Sequence, residues 1–180
     1  MNKLIKSFAI ILSTMTITAN SVNALTTTYT NLEVPTNVNT SFKTWMDWRC
    51  ITNKKSAQYK FINAWGWRDS EGFMRCGGER DLGITDDYYL IALASYYGTK
   101  IGTKYRITTD TGKVFYGALA DMKANKHTNS TNQYASHNDV VEFLIDTRYL
   151  NKSVKKMGNA NVYSPLEGRI AKIERIDFVD

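Results

Sequence analysis

The chain contains few of the residues that characterise fibrous, disulfide-rich or metal-binding proteins. Its 180 residues include two prolines, two cysteines and two histidines, with eleven glycines. This rules out collagen, which needs glycine at every third position, and the spacing of the cysteines and histidines does not match structural zinc sites. No heptad repeat is present, and no apolar run reaches the ~20 residues of a membrane span. We therefore expect a soluble mature protein with no stable membrane insertion, no metal and no cofactor.

The composition is that of a folded domain. Hydrophobic residues make up 43% of the chain, charged residues 22% and aromatic residues 12%. Disordered chains combine low hydrophobicity with high net charge, so this chain can form a packed core. Its length corresponds to one domain.

Residues 1–24 have the features of a secretory signal peptide. Lys3 and Lys6 give a positive start, Ser7–Ala19 is apolar or small and uncharged, and Val22–Ala24 fits a cleavage site. A buried first strand or an amphipathic helix is the alternative, but no acidic residue precedes Glu33. We expect export, and therefore a secreted or cell-wall location.

Cleavage after Ala24 leaves 21 basic and 17 acidic residues. The densest basic spots are Lys54-Lys55 and Lys155-Lys156, and neither has the interleaved aromatic or arginine residues of a nucleic-acid groove. We therefore expect no nucleic-acid partner. For an exported protein, the anionic polymers of the cell wall are the nearest binding partners, and we expect a monomer.

The two cysteines allow two interpretations. Cys50 and Cys76 are 26 positions apart and would lie in an oxidising compartment after export. A disulfide between them would add roughly 3–4 kcal/mol in the chain-entropy account. Two buried free thiols are the alternative.

Residues 25–87 form a Trp-rich N-terminal extension. Leu25–Thr40 reads as an arm or linker, and aromatic spacing in Phe42–Cys50 predicts a short helix. Trp65 and Trp67 flank a glycine in a strand or turn. Their rings would either stack on sugars or pack in the core.

Residues 88–180 have the short apolar runs of a mainly β domain. A tight turn is expected at Asp110–Gly112, and a short helix between a cap at Asp146 and a stop at Gly158. The predicted strands are Tyr88–Ser95, Lys104–Thr109, Val114–Ala120, Val140–Ile145 and a closing strand within Gly168–Asp177. Many short strands with one or two short helices favour a small closed β-barrel.

Several segments of this region resemble exported double-psi β-barrel domains of the three-aspartate (3D) type. These are related to membrane-bound lytic transglycosylase A and, more distantly, to rare lipoprotein A, barwin and expansins. The segments are Ile91–Gly98, Lys100–Thr103, Asp121–Ala124 with His127-Thr128, and Val140–Asp146. The resemblance implies a six-stranded barrel with a groove for a glycan strand.

The resemblance also implies which residues would be catalytic. Asp121 and Glu142 match two acidic positions of the family, and Asp146 follows the second of them. The family's early aspartate corresponds to Ala94 or Ser95 here, and the connecting loop lacks the family's glycines. These differences leave open whether cleavage is retained.

A lytic transglycosylase needs one carboxylic acid that protonates the glycosidic oxygen and then accepts a proton from the sugar's own 6-hydroxyl. The pKa of this acid must be raised by burial or by a second carboxylate. Glu142 alternates with apolar neighbours, so it faces either a groove or solvent. Asp121 either tunes the pKa of Glu142 or caps the following turn.

Lys123 and His127 flank this turn and could bind substrate, although a loop histidine is more often a surface residue. Two functions follow. The first is an exported peptidoglycan-cleaving enzyme with Glu142 as acid and base. The second is a non-catalytic, expansin-like glycan-binding module.

Overall fold

The structure is a computed structural model that describes residues 26–40, 43–135 and 137–179, apart from the side chain of Asp81. The predicted signal peptide lies outside these residues. The helices are α1 Ala57–Trp65 and α2 Lys152–Met157. The strands are β1 Thr26–Leu32, β2 Trp45–Asp47, β3 Trp67–Arg68, β4 Met74–Cys76, β5 Tyr88–Leu93, β6 Lys104–Thr109, β7 Val114–Met122, β8 Glu142–Ile145 and β9 Ile170–Val179.

These nine strands form one sheet, which confirms the prediction of a mainly β protein. Seven strands follow the order β1-β9-β6-β7-β5-β4-β3, while β8 pairs with both β5 and β2. The β5–β7 and β2–β8 pairs are parallel, and the other pairs are antiparallel. The hydrogen-bonded ladders of the described residues do not close into a ring.

Strand β5 lies at the centre of the sheet and is buried along its whole length. Its side chains alternate between a first hydrophobic cluster, which contains Tyr89, Ile91 and Leu93, and a second cluster, which contains Tyr88, Leu90 and Ala92. Neighbouring side chains of a strand point to opposite faces, so both faces of β5 are covered. A continuous apolar run is the sequence pattern of such a strand.

The strands predicted in residues 88–180 are all present, with shifted ends. Strand β6 has the predicted bounds, β5 ends two residues earlier, β7 extends to Met122, and β8 begins at Glu142. The closing strand is β9. The predicted turn between β6 and β7 is also present, and Gly112 has a φ of 82°, a conformation that glycine adopts without strain.

The N-terminal segment is part of the same sheet and not a separate module. Strand β1 pairs with β9 from Thr26 opposite Val179 to Leu32 opposite Ile173, so of the two predicted alternatives this segment is an arm ordered by contact and not a linker. Strand β2 pairs with β8, and β4 pairs with β5. Residues 25–87 therefore supply four of the nine strands.

The helix predicted over Phe42–Cys50 is absent from the part of this segment that the structure describes. Instead, β2 is followed by a 3-10 turn at Trp48–Cys50, because the Asp47 side chain accepts the backbone N–H of Arg49 and caps the turn. The helix of this region lies further along the chain. It is α1, which begins after Ser56, whose hydroxyl accepts the N–H of Tyr59 at 3.1 Å.

The two cysteines are free thiols, so the disulfide, one of the two interpretations of the sequence, is not formed in this structure. Cys76 is buried in the second cluster, and Cys50 is exposed at the end of the 3-10 turn. Lys104 Nζ lies 3.5 Å from Cys76 Sγ. Burial raises the pKa of the Cys76 thiol, and Lys104 partly opposes this effect.

Helix α2 ends as predicted but begins later. Gly158 follows its last residue in the left-handed conformation. The residue that caps its N-terminus is Asn151 and not the predicted Asp146. The Asn151 side chain accepts hydrogen bonds from the backbone N–H groups of Ser153 and Val154. Neither α-helix of the described residues has the length and apolar character needed to cross a bilayer.

Asp47 joins the N-terminal segment to the end of β8. Its carboxylate accepts from Arg49 Nη2 at 2.7 Å and from the backbone N–H of Thr147 at 3.1 Å. The Arg49 guanidinium is the main reason that the pKa of Asp47 lies well below its usual range. The ionised form of Asp47 therefore stabilises the folded state.

We predict that Asp47→Asn lowers the free energy of unfolding by about 1–3 kcal/mol at pH 7, because these charged hydrogen bonds are lost. The difference from wild type should shrink below about pH 4, since a carboxyl with a lowered folded-state pKa loses its contribution as the pH falls. Urea unfolding at several pH values measures this. The exposed Asp86→Asn is the control, and equal effects of the two variants would contradict the prediction.

Candidate active site

The predicted acidic residues meet at one end of the central strand. Ala92 of β5 pairs with Asp121 of β7 on one side and with Glu142 of β8 on the other. Residues directly opposite one another in a sheet point to the same face, so both acids lie on the face of Ala92. Their Cα atoms are separated by two strand spacings, or about 10 Å. The methyl group of Ala92 is the only side chain between them in this row.

The main chain after β7 brings a lysine to this place. The backbone N–H of Lys123 donates to the carbonyl of Leu93 at 2.9 Å. Lys123 Nζ lies 3.1 Å from Asp139 Oδ2 and 3.1 Å from Glu142 Oε2. We call Lys123, Asp139 and Glu142 the carboxylate–lysine cluster. Because one ammonium faces two carboxyl groups, full ionisation leaves the cluster with a net negative charge.

Glu142 is the member of this cluster that is suited to hold a proton. Burial raises the pKa of its carboxyl, and the neighbouring Asp139 raises it further, while Lys123 opposes both effects. Asp139 Oδ1 is buried without a hydrogen-bond partner. A proton on Glu142 would provide the missing donor and remove the excess negative charge, so both observations favour a protonated Glu142.

Glu142 is also the most accessible member of the cluster. Its side chain is 21% exposed, against 5% for Lys123 and 4% for Asp139. A partly buried carboxyl with a raised pKa that still reaches the surface is the kind of group that acts as a general acid.

Asp121 is held in a second polar contact on the same face. Its carboxylate interacts with the side chain of Gln58 of α1 and with the backbone N–H of Met122. Burial outweighs these contacts and raises the pKa of Asp121. The site therefore has two carboxyl groups with raised pKa values, on either side of Ala92.

The two residues predicted to bind substrate near the turn differ in position. Lys123 is buried, and its ammonium is engaged by the two carboxyl groups instead of facing a ligand. His127 lies in an exposed 3-10 turn, Asn125–His127, four residues after Lys123. Ser95 anchors this turn by donating to Asn125 Oδ1 at 2.8 Å.

Asp146 lies apart from the other two acids. It follows the far end of β8, about 13 Å along the strand from Glu142. Its carboxylate accepts from Arg148 Nε at 2.9 Å and Nη2 at 2.6 Å. This hydrogen bonding is the main cause of the lowered pKa of Asp146. The Asp146 carboxylate is thus paired with Arg148 in the turn after β8, away from Asp121 and Glu142, the other two residues predicted to be catalytic.

The two tryptophans have the exposure that a sugar-binding role requires. Trp65 ends α1 and is 68% exposed, and Trp67 lies in β3 and is 44% exposed. Neither ring belongs to the core. Trp65 is seven residues from Gln58 on the same helix, which corresponds to about 10 Å. Trp65 and Asp121 are therefore near opposite ends of α1.

Two residues of the site were missed by the sequence analysis. Asp139 precedes the apolar run of β8 and lies three residues before Glu142. This closeness in sequence is the only signal that the two acids belong to one cluster. Gln58 lies in a helix that the sequence analysis did not identify. Across residues 26–40, 43–135 and 137–179, no cluster of three His, Cys, Asp or Glu side chains is arranged to hold a metal ion.

Comparison of the chain with protein-family models, with curated proteins and with solved structures finds no match. The interpretation of the site therefore depends on its own geometry and on the resemblance of the segments named above.

We predict that Lys123→Met lowers the free energy of unfolding by about 3–5 kcal/mol at pH 7, because two buried carboxyl groups lose their counter-ion. The loss should be smaller at a second, more acidic pH, because protonation of Glu142 removes part of the uncompensated charge. Thermal and urea unfolding at both pH values measure this. Lys126→Met, at an exposed position, should stay within about 0.5 kcal/mol of wild type. A loss that does not depend on pH would contradict this account.

Proposed function

We propose that this protein is an exported enzyme that cleaves cell-wall glycan by a lytic transglycosylase mechanism, with Glu142 as its acid and base. The observation that carries the proposal is the accessible Glu142 carboxyl, whose pKa is raised by burial and by Asp139. The proposal includes a double-psi fold. It is supported by the position of the segments that carry the resemblance, since β5, the end of β7 and the start of β8 are neighbours in the sheet.

In this mechanism the protonated Glu142 donates its proton to the glycosidic oxygen as the bond to the anomeric carbon breaks. The resulting carboxylate then takes the proton of the sugar's 6-hydroxyl, whose oxygen forms the new bond to the anomeric carbon. The proton returns to Glu142, and no water is consumed.

The neighbouring residues support both states of Glu142. Asp139 favours the protonated state before the reaction. The Lys123 ammonium, 3.1 Å from Glu142 Oε2, stabilises the carboxylate that forms in the transition state. Asp121, on the other side of Ala92, would in its ionised form stabilise positive charge that develops at the anomeric carbon.

We predict that Glu142→Gln abolishes the release of soluble 1,6-anhydro-muropeptides from purified peptidoglycan, measured by mass spectrometry. Gln is close in size to Glu and can still accept from Lys123, but it has no proton to transfer. Glu167→Gln, at an exposed position away from the cluster, should release the same products as wild type. Unchanged release by Glu142→Gln would reject the enzymatic proposal.

We predict that Asp139→Asn moves the alkaline limb of the pH–rate profile to lower pH. Glu142 must be protonated to act as an acid, so the rate falls as the pH rises through its pKa. Removal of the negative charge of Asp139 lowers that pKa. Asp86→Asn is the matched control, and an alkaline limb that does not move would show that Asp139 does not tune the acid.

Non-catalytic glycan binding is the second candidate, and the exposed rings of Trp65 and Trp67 favour it. Both rings are available for stacking on sugar faces. Retention of the protein on peptidoglycan with no released fragments, unaffected by Glu142→Gln, would support this second function.

A further inference from the structure

A cavity of about 370 Å³ lies at the C-terminal end of α1, away from the carboxylate–lysine cluster. We call it the Trp65 cavity. It is lined by Phe61 and Trp65 of α1, by Cys76–Glu79 after β4, and by Lys104 at the start of β6. Its volume falls within the range of small-ligand sites.

The cavity has an aromatic wall that faces solvent. The Trp65 ring is 68% exposed, and Phe61 lies beside it, one helical turn earlier. An exposed indole next to a cavity offers a flat apolar surface to a ligand with a flat apolar face of its own. A pyranose ring has such a face.

The cavity also contains a cation that has no anionic partner. Lys104 Nζ lies 4.2 Å from the centroid of the Tyr88 ring and 5.8 Å from that of Phe61, and it donates to Cys76 Sγ at 3.5 Å. Within the part of the chain that the structure describes, no carboxylate lies within 4.0 Å of this ammonium. A ligand carboxylate would supply the charge that the protein does not.

The lining of the cavity also includes an acidic residue, Glu79, whose side chain does not cap the 3-10 turn that follows it. Its carboxylate can accept from hydroxyl or amide groups of a ligand.

A second cleft borders the Trp65 cavity at Lys104. This cleft of about 590 Å³ is lined by residues 98–104 and 175–178, so Lys104 borders both spaces. Gly102 lies beside the Phe61 ring, and a Cβ there would be 3.5 Å from it. A chain-like ligand with one unit in the Trp65 cavity would therefore have space for a neighbouring unit on the other side of Lys104.

We infer that the Trp65 cavity binds an acidic sugar, with the pyranose ring on Trp65 and the sugar carboxylate on Lys104. The choice of a cell-wall sugar as ligand rests on the proposed function. Within that function the cavity would select muramic acid units that carry no stem peptide over N-acetylglucosamine, because the lactyl carboxylate is free only in such units and N-acetylglucosamine lacks it. The site would hold the glycan about 10 Å from Asp121 along α1.

The test compares the binding of free N-acetylmuramic acid with that of free N-acetylglucosamine. Binding is measured by NMR from the changes in the amide chemical shifts of Gly77 and Gly78. We expect about tenfold tighter binding of the acidic sugar, as for one charge-assisted hydrogen bond. Lys104→Met should bring the two affinities within about threefold, and Trp65→Ala should weaken both. Lys113→Met, at an exposed position outside the cavity, should keep the full preference.

Equal affinities in the wild type, or a preference that survives Lys104→Met, would overturn the inference, as would no binding of either sugar. If Lys104→Met shows no cooperative unfolding and is therefore not folded, a salt titration of the wild-type protein takes the place of this variant. Raising salt to about 0.5 M should then weaken binding of the acidic sugar alone, and an unchanged preference would count against the site. Glu142→Gln should bind both sugars like wild type, so failure of cleavage and failure of this site can be distinguished.

Discussion

The contact of Lys123 with Asp139 and Glu142 is the constraint on which the candidate site depends. Two carboxyl groups and one ammonium are withdrawn from water at the edge of an apolar core, where charge is costly. The arrangement has lowest energy when one carboxyl keeps its proton. Burial and the neighbouring Asp139 raise the pKa of Glu142, and Asp139 Oδ1 lacks a donor, so Glu142 is the member suited to hold the proton. Burial of two residues thus determines the chemistry of a third.

The sheet provides the fixed frame for this cluster. Strand β5 is packed on both faces, and Ala92, near its C-terminal end, lies between β7 and β8. A larger side chain at this position would fill the space between Asp121 and Glu142. Helix α1 covers the same face, contacts Asp121 through Gln58 at one end, and forms the Trp65 cavity at the other. One helix therefore connects the proposed acid site with the proposed sugar site.

The sequence predicted the C-terminal half well because its strands are marked by apolar runs and glycine turns. Strand β6 matches residue for residue, and the turn at Gly112 and the stop at Gly158 are present. Strand β1 was missed because its side chains are mostly polar and exposed, so its position is determined by backbone pairing with β9. The segment before Cys50 became a strand and turn because Asp47 and the pairing with β8 outweigh local helical spacing.

The site was predicted in part for a similar reason. Asp121 and Glu142 were identified through the resemblance of the segments that carry them, and their placement on one face follows from the pairing of both with Ala92. Asp139 and Gln58 were not, because a buried polar contact between distant segments leaves no periodic signal. Asp146 was included because it follows Glu142 in the segment that carries the resemblance, but its carboxylate is hydrogen-bonded to Arg148.

The pairing of β1 with β9 has a consequence for how the chain matures. Residues 26–32 find their partners only at residues 173–179, so β1 stays unpaired until that distant segment has been made. Contacts this distant in sequence are slow to form because a long loop must be closed first. The outermost strand pair is thus among the later parts of the sheet to form, and until then both of its strands lack this partner.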